Sequence, residues 1–385
     1  MLFALLLACH RGDDSPAPEA VNLDTRAYVV SELSNDLFVF DYNTLSEVGS
    51  LDTTADLSAG GVNGNHMAMV TADGSKVYIS ASEADTLVVV DAASLTVKAR
   101  ISVGSHVTHM AARPGTSELW VMLEGDNAIA IVDTETDTVT RTLSDRSFQI
   151  PHFARFSGDR AYVPNIGGNQ VSVIDLDRYA VVDTLVGEGL SEGACEGDPC
   201  GYADAQIGND GVLFASNFST GAVIVYDTIA RERLPEVRTG EAAWSAFVDP
   251  FSTGADFAFV PSWTGQTLSR VGLDGSGRSY DLGDSEVYGV NYSPTAPGLA
   301  FALSRTRHEV TVFDQASGDL VDAIDVGGNT ETATTTPDGR LLLPISSAGA
   351  VVVLDTETRE ELARFEQVGV YPWSVTTVEG QNYCH

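Results

Sequence analysis

Short apolar runs that end in aspartate recur along this chain. They read LFVFD at Asp41, LVVVD at Asp91, IAIVD at Asp133, VSVID at Asp175, VIVYD at Asp227, VTVFD at Asp314 and VVVLD at Asp355, with a weaker copy, LSRVGLD, at Asp274. Eight copies at a spacing of roughly 42 residues leave few folds open, because that is the length of one four-stranded propeller blade. Each unit carries a second strand ahead of the aspartate, such as KVYISA, ELWVML, RAYVPN, VLFASN, FAFVPS, LAFALS or LLLPIS. A short turn rich in Gly, Asn, Asp or Ser separates the two, as a hairpin requires. A further strand such as TVKARISVG follows the aspartate, and a phrase such as HMAMVTADG opens the unit. The aspartates are expected to cap the turns that follow them, since a carboxylate bonds backbone N–H groups two residues on.

The two ends of the chain are complementary. AYVV (27–30) is a second-type strand with no first-type strand ahead of it, and PWSVTTVEG (372–380) is a first-type strand with nothing after it. Joined, they complete one blade and remove the open sheet edges that invite aggregation. The expected fold is therefore all-β: a single eight-bladed β-propeller of four-stranded antiparallel blades over residues 26–385, closed by its N- and C-terminal strands.

Three phrases carry a family resemblance: NHMAMVTADGSKVYIS (65–80), IPHFARFSGDRAYVPN (150–165) and ETATTTPDGRLLLPIS (331–346). They resemble the YVTN β-propeller repeat over nearly the whole chain. An eight-bladed ring of this type is also similar to the haem-binding propeller of dissimilatory nitrite reductase and its accessory proteins. That resemblance implies the fold and raises a cofactor site in the channel as an expectation.

Charge excludes one class of partner. Acidic residues number 54 against 21 basic, a net charge of −33, and such a surface repels phosphate backbones, so nucleic acid is not a partner. The acids are spread along the chain, which reads as solubility. The N-terminus MLFALLLAC resembles a bacterial lipobox with Cys9 as the lipidated residue, and HRGDDSPAPEAVNLDT (10–25) reads as a polar tether. Eight apolar residues are too few to span a bilayer. Export to the periplasm or cell surface follows, with membrane attachment only through lipid and a monomer expected. Cys195 and Cys200, in EGACEGDPCGYAD, suit a small disulfide ring in an exported protein; metal binding by this C-x4-C pair is the alternative.

His66, His109 and His152 stand 43 residues apart, each near the start of a first-type strand. In a propeller that strand lines the channel, so the three imidazoles face one mouth. The equivalents in the other blades are Ala203 or Asp204, Trp244, Tyr288, Glu331, and Pro372 or Trp373; His109 needs a one-residue gap. Imidazoles beside a carboxylate suit copper, zinc or iron. Aromatic rings opposite suit a flat macrocycle. His66, His109, His152 and Asp204 are thus candidate metal ligands, with Trp244, Tyr288 and Glu331 as candidate cofactor contacts. Such a cluster is similar to the copper site of nitrous oxide reductase. Against this, histidine at this position is part of the ordinary repeat, and the aromatic residues serve equally well as a channel plug. The insertion 187–204 is expected to overhang this mouth.

Two functions remain open at this point. One is a cell-envelope carrier or accessory of a redox system, holding a transition metal or haem-like tetrapyrrole. The other is a cofactor-free interaction scaffold. A channel-metal hydrolase or lactonase has less support, because no general base stands apart from the ligands, and no phosphate loop, nucleophile elbow or H-E-x-x-H occurs.

Overall fold

The computed structural model describes residues 22–54, 64–197, 199–240, 242–252, 257–283 and 285–383. Cys9 and most of the tether lie outside them, as do Cys384 and His385. Eight antiparallel sheets are built in turn by successive units of the chain. Blade 2 shows the plan: Asn65–Val70, Lys76–Ala81, Thr86–Asp91 and Thr96–Ser102 pair in sequence order from the channel outwards. Each blade is sandwiched between two others, so its middle strands are buried on both faces and read as continuous apolar runs. Leu87, Val88, Val89 and Val90 are all fully buried, whereas the outer strand Thr96–Ser102 is largely open to solvent.

Pro372–Thr376 pairs with Arg26–Ser31 as the inner strand of blade 1, with Val29 opposite Val375. The ring is closed by the two ends of the chain, as expected.

The aspartates at the ends of the third strands cap turns. Asp91 Oδ1 accepts the backbone N–H groups of Ala93 and Ser94 at 3.1 and 2.9 Å. Asp41, Asp175, Asp227, Asp314 and Asp355 repeat the arrangement on the second and third residues that follow each of them.

Three departures stand out. The sequence shows no strand after residue 380, but Gln381–Tyr383 turns back and pairs with Ala333–Thr335, adding a fifth strand on the inner side of blade 8. The inner edge of a blade offers unpaired N–H and C=O groups, and the tail satisfies them. In blade 6 the inner segment forms only single bridges, Ala243 with Ser262 and Phe247 with Phe259. The outer strand of blade 5 is broken into Glu232–Arg233 and Val237–Arg238 around Pro235, which has no N–H to donate. Among the described residues, no helix is long and apolar enough to cross a membrane.

Candidate functional site

The inner strands do more than bring their first residues to one mouth. In five blades the pairing register slips at the candidate residue: His66 is skipped between Asn65 and Met67, Thr108 and His109 between Val107 and Met110, and Ala203 and Asp204 between Tyr202 and Ala205. Tyr288 and Trp373 are skipped in the same way. A bulge frees a residue from the strand's alternation and re-aims its side chain. The extra residue in blade 3 accounts for the gap that the alignment of His109 needs.

Six side chains from the starts of the inner strands form a closed annulus. His66 meets His109, which meets His152, Trp244, Tyr288 and Trp373 in turn, and Trp373 returns to His66, with ring centroids 4.0 to 6.0 Å apart. Ala203 packs in the same apolar cluster, so it is Ala203 and not Asp204 that takes the equivalent position. Asp204 is fully buried and bound to Arg155, Nη2 to Oδ2 at 3.2 Å. Expected as the acid beside the histidines, it instead balances a guanidinium; the register at this bulge places it one residue too far along.

The acid that does join the histidines is Glu124. One ring nitrogen each of His109 and His152 and one Glu124 oxygen lie within 4.8 Å of one another. An ion with N and O bonds of about 2.1 Å holds tetrahedral donors roughly 3.4 Å apart, so closure by no more than about 1.4 Å at the widest pair completes the set. Glu124 Oε1 is 3.7 Å from His109 Nδ1. That is too long for a hydrogen bond and within the span of one metal ion. Thr108 Oγ donates to the same oxygen at 2.7 Å and holds the carboxylate in place.

His66 plays a different part. Its Nδ1–H donates to Glu32 Oε1 at 3.0 Å, and its Nε2 lies 3.4 Å from His109 Nε2. Glu32 thereby orients the His66 ring against that of His109.

The other half of the mouth is aromatic. Trp244 stacks on Trp263 at 4.2 Å, Trp263 on Tyr288 at 5.3 Å and Tyr371 on Trp373 at 5.8 Å. The Arg305 guanidinium lies 5.0 Å from the centre of the Trp263 ring and 5.3 Å from that of Tyr288, as in a cation–π contact. Glu331, buried, accepts from Ser346 Oγ at 2.8 Å, with Tyr371 Oη at 3.4 Å. Burial pushes the Glu331 carboxyl above its ordinary value and the Tyr371 hydroxyl up to about 12.

Half of this site comes from a ring that reading the first-type strands did not find. Glu32, Glu124, Phe218, Trp263, Arg305 and Ser346 are each the first residue after a second strand. The signal was present: the residue following each KVYISA-type run is a hairpin turn position whose identity changes from blade to blade.

The cysteine loop lies at this mouth. Cys195 and Cys200 form a disulfide. The loop packs sideways on blade 4, where Cys195 N–H donates to Gly167 O and Cys200 N–H to Ile166 O, both at 3.1 Å. Gly201 O accepts from Phe218 N–H at 2.8 Å, and Phe218 meets Trp263 edge-on. It braces the aromatic wall. His308 is exposed in the turn that follows Arg305.

Comparison with known proteins supports the fold. The family model described as "Lactonase, 7-bladed beta-propeller" matches residues 20–157. No curated protein sequence matches the chain. A solved structure of the dihydro-haem d1 dehydrogenase NirN in complex with DHE is similar at a TM-score of 0.70 and 14% identity, covering 94% of this chain and 77% of that one. AztD of Citrobacter koseri is similar at 0.66 and 12%, over 94% and 99%. Hydrazine synthase of Kuenenia stuttgartiensis is similar at 0.57 and 17%, over 78% and 97%. The chain is an eight-bladed β-propeller. At these identities the likeness is one of fold.

Proposed function

We propose that this propeller is a metal-binding protein of the cell envelope, a carrier or accessory of a redox system, with His109, His152 and Glu124 as ligands and His66 as the residue that orients His109. The observation that carries the reading is the gathering of His109, His152 and Glu124, whose candidate ligand atoms lie within 4.8 Å of one another, with His109 Nδ1 and Glu124 Oε1 3.7 Å apart. Two imidazoles and a carboxylate suit copper, zinc or iron. A flat tetrapyrrole suits this mouth less well. Trp244, Trp263 and Tyr288 already stack on one another, and a macrocycle has to part them. Export is supported by the Cys195–Cys200 disulfide, a bond that persists in oxidising compartments. Residues 1–9 are assigned as the exported leader ending at the lipidated Cys9, and 10–25 as the tether to a monomeric propeller over 26–385.

The test is elemental analysis and an absorption spectrum on protein purified from its native envelope, beside the H66A/H109A/H152A variant. One metal per chain, lost in the variant, is the expected result. A metal-free protein with the variant merely less stable leaves the scaffold reading. One feature favours that alternative: Leu33 and Val370, 59% and 58% exposed, lie side by side at this mouth, Leu33 N–H donating to Val370 O at 3.2 Å. Hydrolysis of a lactone by the metal-loaded protein would move the reading to an enzyme.

A further inference from the structure

Glu124 has two oxygens, and they face two different histidines. Oε1 lies 3.7 Å from His109 Nδ1, and Oε2 lies 3.9 Å from His106 Nε2. Both spans exceed a hydrogen bond, and both lie within about 0.5 Å of the roughly 3.4 Å at which one tetrahedral ion holds two donors, so a small side-chain movement brings either pair onto an ion. The three side chains form a gradient from solvent inwards: His106 is 50% exposed, Glu124 14% and His109 2%.

His106 is held in this place by its backbone. Its φ of +50° is a conformation that few non-glycine residues adopt. Two contacts hold it there: its N–H donates to Asp85 Oδ1 at 2.7 Å, and its carbonyl accepts from Glu124 N–H at 3.1 Å. The second of these ties the exposed histidine to the very residue whose side chain it faces. The phrase GSHVTH thus carries two histidines with separate places, one outside the annulus and one within it.

We propose that His106 and Glu124 form an outer, transient metal site through which a divalent transition-metal ion passes to His109 and His152. The inference rests on the metal-binding reading above. The ion is first held between His106 Nε2 and Glu124 Oε2. The carboxylate then changes from one oxygen to the other as His109 Nδ1 replaces His106 Nε2. The ion is never released to water between the two sites, its charge is opposed by the same carboxylate throughout, and no bond other than those to the metal is made or broken. A site whose ligands are buried gains most from such a step, because the ion's water is removed one ligand at a time.

The test is the rate of Cu²⁺ uptake by the whole protein, followed by quenching of tryptophan emission, since Trp244 lies 6.0 Å from His152. Cu²⁺ is supplied as a glycine complex. His106→Asn removes the imidazole and keeps a residue that tolerates the positive φ. Uptake and chelator-driven release are both expected to slow by roughly tenfold, leaving Kd within about twofold. His308→Asn, an exposed histidine in another turn of the same mouth, is expected to match the wild type. Uptake by H106N at the wild-type rate overturns the proposal. So does a weakened Kd with unchanged uptake, which makes His106 a resident ligand. Failure of the wild type to bind Cu²⁺ overturns the metal-binding reading instead, and is seen before any variant is compared. A circular dichroism melt of H106N matching the wild type separates a slow rate from a damaged fold.

Discussion

The aspartates and the histidines of this propeller both stand at equivalent positions of successive blades, at opposite ends of those blades, and they recur for different reasons. The aspartates run almost all the way round the ring, and each bonds the backbone of its own turn, as Asp91 does with Ala93 and Ser94. The histidines occupy three positions of eight, and their partners are side chains from elsewhere: Glu32 of blade 1 for His66 of blade 2, and His66 for His109 of blade 3. A residue that repeats everywhere and answers to its own turn is part of the repeat. A residue that repeats only along one arc, and answers to other blades, marks a place where the repeat has been turned to something else.

The largest effect that sharpens this contrast is on metal affinity. Glu124→Gln keeps the shape and the bond from Thr108 but removes the charge that opposes the ion, and binding is expected to weaken by about 100-fold. Isothermal titration with Zn²⁺ checks it, and an unchanged affinity removes Glu124 from the ligand set. Glu32→Gln is expected to cost less, about tenfold, because it only loosens the orientation of the His66 ring, one ring away from the ligands. Equal losses in the two variants would erase the distinction between ligand and orienting group drawn here.

The same contrast explains how much was legible from sequence alone. The blade count, the ring closure and the turn role of the aspartates were all readable, because each rests on local chemistry repeated eight times. His66, His109 and His152 were readable as a set for the same reason. Asp204 was misplaced because the inner strand bulges over two residues at 203–204, and a bulge leaves no mark in an alternating pattern. Glu124 and Glu32 were missed because each is a turn residue in one blade only. Their importance comes from reaching another side chain, and nothing next to them in sequence reports that. The return of Gln381–Tyr383 onto Ala333–Thr335 was unreadable on similar grounds: three residues are too few to show a strand period.

Smaller effects fall on stability. Asp91→Asn, measured on chelator-treated protein, removes a charged acceptor from two backbone N–H groups, and the melting temperature is expected to fall by roughly 1–2 °C at neutral pH. Metal affinity should not move. A loss of affinity in D91N would mean that the turn end and the histidine end of a blade are coupled.

Acid titration separates two kinds of carboxylate by sign. In Asp91, bonds from the Ser94 backbone and side chain hold the folded carboxyl below its ordinary 3.8. Its contribution is therefore present above pH 3.8 and is lost as pH falls through the lower folded value. D91N should differ from the wild type at pH 7 and converge with it in stronger acid. In Glu331, burial raises the folded carboxyl above its ordinary 4.5. There the folded state keeps its proton after the unfolded chain has lost it, so stability is full below pH 4.5 and declines as pH rises towards the folded value. Glu331→Gln retains an acceptor for Ser346 and has no proton to lose. It should melt with the wild type near pH 4 and above it at pH 7. Two variants whose differences from the wild type run in opposite directions with pH, in one metal-free protein, would place the turn carboxylates with the repeat and Glu331 with the buried mouth; parallel curves would put both in the same class.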